Sequence, residues 1–160
     1  MIRIERLTLA QQQYVETIAD LVKRTGEART TDLARCLGVS LPSASEAVSR
    51  LVEAGIAARK SWHEIALTAD GQAISQQLER RHSVLRRFMV DVLGMREPDA
   101  DANACRIEHC VGPAFVNRLT SFADFFERDR RVGARARWRR QVSRIGASAR
   151  RPARRAVRSA

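Results

Sequence analysis

The sequence predicts a mainly α-helical chain. It divides into an N-terminal winged helix-turn-helix domain over residues 1–70, a C-terminal helical domain over 71–130 and a basic tail over 131–160. Three observations carry this reading. Residues 31–68 run as helix, tight turn, helix and short hairpin. Apolar residues on either side of that stretch recur at three- and four-residue spacing. The last segment turns abruptly into Arg and Ala, with no acid.

The first helix is expected from Leu7 to Thr25, with Thr8 as N-cap, Gln11 as its capping-box partner and Gly26 as its end. Leu7, Tyr14, Ile18, Leu21 and Val22 form its apolar stripe. A short helix follows over Thr31–Leu37, capped by Thr30 or Thr31. Gly38 takes the left-handed position after it, and Val39 is expected to fill the angle between helices. Ser40 caps the next helix, and Pro42 fits its first turn, where a missing N–H costs nothing. Ala47, Val48, Leu51 and Val52 are its buried stripe, and Gly55 stops it. Ile56–Lys60 and Glu64–Leu67 are expected strands, with Ser61 to His63 at the tip.

A second helix followed by a wing is the geometry of a DNA reader. Its outer face carries Ser40, Pro42, Ser43, Ser45, Glu46, Ser49 and Arg50. The serines and first-turn N–H groups suit phosphates and base edges. Glu46 suits a cytosine amine, and Arg50, Arg59 and Lys60 suit phosphates. The competing reading is a three-helix core that binds nothing.

Thr68 opens a long helix reaching Val92, whose stripe is Ile74, Leu78, His82, Leu85, Phe88, Met89 and Val92; Gly94 ends it. Pro98–Val111 and Pro113 to about Asp129 are the remaining helices. Three helices are too few for an independent core. The aromatic run Phe122, Phe125 and Phe126 is therefore expected to build a homodimer interface, the alternative being internal packing against the long helix.

Composition narrows the function classes. No 18-residue apolar run marks a membrane span, and the charges within MIRIERLTLA are wrong for a signal peptide. Three cysteines form no even disulfide framework, so a reduced cytoplasmic protein is expected. The net charge is +11, but eleven of the 29 basic residues lie in 131–160. The other 18 balance the 18 acids, so the excess charge belongs to the tail alone. Disorder and non-specific phosphate attraction are expected there, an inert solubilising tail being the alternative.

A second constellation lies in ACRIEHC, residues 104–110. Cys105, Glu108 and His109 stand at i, i+3 and i+4, on one helix face. Thiolate, carboxylate and imidazole make a transition-metal donor set. A small core cysteine and a surface Glu–His pair are the bland alternatives. His82 lies within the stripe of the long helix, and Gln13 and Glu16 share a face of the first.

QYVETIADLV, EARTTDLARCLGVSLPSASEAVSRLVEAGI, IALTADG, RRHSVLRRFMVDVLG and ACRIEHCV, in this order, resemble the diphtheria toxin repressor and manganese-regulator family of metal-dependent repressors. The resemblance covers residues 11 to about 126 and ends without the SH3-like domain of the longer members. It implies a C-terminal metal-binding and dimerisation domain, double-stranded operator DNA as partner, and no enzymatic activity. Position by position it implies Glu16, His82, Glu108 and His109 as ligands, Cys105 at a cysteine ligand of the iron-type members, and Gln13 where the family has Asp or Met. Arg86 and Asp101 stand where the iron-type members have a carboxylate and a histidine of an ancillary site, so no intact site of that type is expected. The donors favour Mn(II), then Fe(II), with Co(II) and Zn(II) admitted by the thiol. The function implied is repression of metal-uptake genes. The rival readings are a winged-helix regulator that no longer uses metal, a mononuclear metal hydrolase, and a non-specific nucleic-acid binder driven by the tail.

Overall fold

The structure is a computed structural model and describes residues 4–60, 63–128, 137–138 and 140–141. A 3-10 turn at Ile4–Arg6 leads into α1 (Leu9–Thr25), β1 (Ala28–Arg29), α2 (Thr30–Leu37), α3 (Leu41–Glu53), β2 (Ala57–Arg59), β3 (Glu64–Leu67) and α4 (Ala69–Arg87). A π turn over Phe88–Val92 extends α4. The chain closes with α5 (Glu97–Ile107), a 3-10 turn at Glu108–Cys110 and α6 (Pro113–Arg128).

Local chemistry explains most boundaries. Thr8 caps α1 through a full capping box with Gln11, and Gly26 ends it at φ 85°. Gly38 closes α2 at φ 65°, and the Ser40 hydroxyl accepts from the Ser43 N–H to open α3. The α2 start departs from expectation. Neither Thr30 nor Thr31 caps it; Arg29 is the N-cap, with no side-chain bond. The reason is a strand that the sequence does not announce: Ala28 and Arg29 pair with Ile65 and Glu64, so the chain enters α2 directly from the sheet. Strand order is β1-β3-β2, all antiparallel, with β3 central. Of the expected wing tip, Ser61 and Trp62 lie outside the described residues.

One core joins α1, α2, α3, the sheet and the first half of α4. Val15, Ile18, Leu33, Val48, Leu51, Ile56, Ile65, Ile74 and Leu78 are all buried in it. Ala44 joins the α3 stripe, while Ala47 and Val52 pack at its margin. Two expected core residues face outward: Val39 is 39% exposed and Val22 41%. Both lie at helix ends, past the last residue that the core side reaches.

The C-terminal helices bury much smaller side chains, chiefly Ala100, Ala104, Val116 and Ala123, beside Leu85, Met89 and Val92 of the α4 extension. Apolar burial contributes roughly 25 cal/mol per Å², so alanines contribute little. Phe122 lies 6.0 Å from Phe88 and stacks on Phe126 at 6.3 Å, yet Phe115, Phe122 and Phe125 remain about half or more exposed. Most of the tail lies outside the described residues; within them, the Trp138 indole donates to the Val92 carbonyl. No helix of the described residues is long and apolar enough to cross a membrane.

Thr68 locks the two halves of the chain together. Its hydroxyl donates to the carbonyls of Gly55 and Ile56 and accepts the Gly71 N–H that starts α4. Gly71 is forced by the same contact: a Cβ there would meet the Ile56 carbonyl oxygen at 2.1 Å. Gly71→Ala should therefore destabilise by about 2 kcal/mol, despite alanine's helix advantage of roughly 1 kcal/mol. Chemical denaturation checks this, and unchanged stability would remove the close approach as the reason for glycine.

Candidate metal centre

The α5 helix tightens at its end. Ile107 has φ −107°, and Glu108–Cys110 continue as a 3-10 turn. This turn lies against α4 and α1 and holds Glu108 at 2% exposure. Glu16, two turns into α1, faces it. Ligand atoms of Glu16, Glu108 and His109 all lie within 4.8 Å of one another. The His109 Nε2 is 3.5 Å from Glu16 Oε2 and 3.8 Å from Glu108 Oε1.

The other residues read as ligands take different places. His82 joins by its Nδ1, 3.0 Å from Glu108 Oε2, while its Nε2 is 3.0 Å from Asp101 Oδ1. The Cys105 thiol hydrogen-bonds Glu108 but remains exposed. Gln13, which the resemblance put among the ligands, is also exposed; its neighbour Gln12 is buried and reaches His109 Nδ1 at 3.1 Å. The sequence did hold a signal for Gln12, which stands four residues before Glu16 and so shares its helix face. Arg81, buried beside the site, also went unread because it adjoins the more conspicuous His82.

The electrostatics are those of a crowded acid cluster. Burial, then the Glu108 charge, pushes the Glu16 carboxyl up to about 7, with His82 opposing. Burial also raises Glu108, against the pull of His82. His109 is lowered, by burial and by Arg81, which favours the neutral ring that can donate a lone pair. The Cys105 thiol is raised, by burial and then by Glu108, Glu16 and Asp101. Two carboxylates and a neutral imidazole at this spacing match the charge and the ligand-to-ligand separations of one divalent ion, so the residues present fit a metal. Beyond His82, Arg86 donates to Glu97 at 2.7 Å and lies 3.7 Å from Asp101, placing a fixed cation among those acids.

On the DNA-reader face, Ser40 and Ser43 share a 2.8 Å hydroxyl contact. Arg50 pairs with Glu46 at 2.6 Å, Arg59 donates to Ser49 at 3.3 Å, and Lys60 pairs with Glu64 at 3.3 Å. Pro42 is exposed and Ser45 half-buried. Arg29, Ser45, Arg59 and His63 line a cleft of about 480 Å³ between α3 and the wing.

The raised Glu16 carboxyl has a testable sign. Its folded-state value lies above its ordinary one, so its contribution is fully present below pH 4.5 and is lost as pH rises to about 7. In metal-free protein, Glu16→Gln should therefore melt higher than wild type at pH 8, by on the order of 2 kcal/mol after allowing for partial exposure, and equal it near pH 4.5. Thermal melts across this range check it, and a constant difference would contradict the burial argument.

Residues 6–60 match the family model "Iron dependent repressor, N-terminal DNA binding domain", and residues 68–135 match "Iron dependent repressor, metal binding and dimerisation domain". The transcriptional regulator MntR of Escherichia coli O157:H7 is 38% identical over 109 residues, 68% of this chain and 70% of that protein. MntR of Geobacillus kaustophilus is 27% identical over 124 residues, 78% of this chain and 87% of that protein. A manganese-dependent transcriptional repressor solved in complex with manganese superposes with a TM-score of 0.63 at 28% identity, over 72% of this chain and 53% of that one. The manganese regulator SloR does so with a TM-score of 0.62 at 26% identity, over 74% and 55%. The chain thus spans about half the length of these solved proteins. With both family domains matched in order and the MntR relatives aligned across them, the chain belongs to the iron-dependent repressor family of metal-dependent transcriptional regulators.

Proposed function

We propose that this chain is a homodimeric, metal-responsive repressor of metal-uptake genes, reading Mn(II) first and Fe(II) next. The observation that carries the proposal is the meeting of Glu16 from α1 with Glu108 and His109 from the turn after α5. Glu16 rides on the same core as the reader helix α3, whereas Glu108 and His109 belong to the C-terminal helices. A divalent ion bound there would supply positive charge beside two raised carboxyls. Glu16 then holds α1 against the turn, and α1 carries α3 with it. In a dimer this fixes the distance between two reader helices, which must span one DNA turn. Metal and operator then strengthen each other reciprocally, by about 1–3 kcal/mol.

On the DNA side, Ser40, Ser43 and Ser45 meet phosphates and base edges, and Arg50, Arg59 and Lys60 leave weak surface partners for phosphates. Exposed ion pairs of this kind are worth about 0–1 kcal/mol, so the exchange costs little. The exposed phenylalanines of α6 suit the dimer contact. Arg86, held among Glu97 and Asp101, opposes a second ion on that side, which favours one metal per chain.

The rival regulator without metal dependence draws on Gln13, which is neutral and exposed. Gel shifts of metal-free protein on operator DNA, titrated separately with Mn(II), Fe(II), Co(II) and Zn(II), distinguish the two. Glu108→Ala combined with His109→Ala should abolish the metal response, at least 10-fold in affinity, while leaving a folded dimer in sedimentation. An undiminished response in that variant would contradict the site.

A further inference from the structure

Gln12 is buried at 5% exposure, and its amide has two partners. The nitrogen donates to the Leu7 carbonyl at 3.1 Å. The oxygen lies 3.1 Å from His109 Nδ1. A backbone carbonyl can only accept, so the amide nitrogen must face Leu7 and the oxygen must face the ring. That oxygen has no proton to give, so Nδ1 carries the hydrogen. In the neutral ring the lone pair is then on Nε2, which faces Glu16 and Glu108. Left alone, two carboxylates beside Nε2 would attract a proton there, and the ring would lose its donor atom on the side where a cation needs it. The Leu7 carbonyl, through Gln12, opposes that tautomer.

We propose that Gln12 is a positioning residue that holds His109 in its Nδ1–H tautomer and aims the Nε2 lone pair at the space between Glu16 and Glu108. The proposal rests on the reading of those three residues as a divalent metal site. It adds a residue outside the ligand set whose side chain bonds across 97 positions of sequence, from α1 to the turn after α5. The site is thus held ready from both sides before an ion arrives. Outer hydrogen bonds of this kind typically set 10- to 100-fold in metal affinity.

The test has two arms on the full-length chain. The first is a two-bond ¹H–¹⁵N correlation spectrum of metal-free, histidine-labelled wild type at pH 8. His109 should show a protonated Nδ1 and an unprotonated Nε2; the opposite tautomer overturns the proposal. The second is calorimetric titration with MnCl2 of wild type and Gln12→Ala. The variant should bind about 10- to 100-fold more weakly, and its His109 should shift toward the Nε2–H form. Affinity within about twofold of wild type overturns the proposal. Should Gln12→Ala fail to fold, the wild-type spectrum decides by itself. A wild type that binds no Mn(II) would defeat the metal reading, a separate result from the tautomer, which is read without metal.

Discussion

The structure depends on an electrostatic debt at one point, where Glu16 of α1 meets Glu108 and His109 of the turn after α5. Both carboxyls are pushed upward, Glu16 by burial and then the Glu108 charge, and Glu108 by burial, with His82 opposing in each case. The C-terminal helices bury mostly alanines, which contribute little apolar burial. In the proposed reading, a divalent cation held by Glu16, Glu108 and His109 would join α1 to that turn. The reader helix, one core away, follows whatever α1 does.

This joint differs from the neighbouring polar network. There Arg86 already supplies a positive charge between Glu97 and Asp101, and His82 bridges Asp101 to Glu108. On α3 and the wing the charged side chains form pairs of their own. Glu46–Arg50 is exposed, and Lys60 pairs with the half-buried Glu64.

Much of this was legible in the sequence because it is local. Caps at Thr8, Ser40 and Thr68, the left-handed glycines, and the apolar stripes of α1, α3 and α4 each follow from a few adjacent residues. Glu108 and His109 do lie together, but their third neighbour is Glu16 of α1, while the Cys105 thiol is exposed and hydrogen-bonds Glu108. What escaped depends on partners distant in sequence. The strand at Ala28–Arg29 exists only because β3 offers it a ladder, and it displaces the threonine cap expected for α2. The exposure of Val39 and Val22 reflects where the core ends. Gln12 rather than Gln13 faces His109 because the rotation of α1 is set by packing, and neighbouring glutamines are indistinguishable by type.

The central claim is that the metal joins α1 to the C-terminal turn. Hydrogen-exchange mass spectrometry of the full chain, metal-free and with saturating Mn(II), tests it most directly. The account predicts slowed exchange in two segments together, Leu9–Thr25 and Glu97–Cys110, with the α1 effect lost in Glu16→Gln. Slowing confined to Glu97–Cys110, with α1 unchanged, would contradict it.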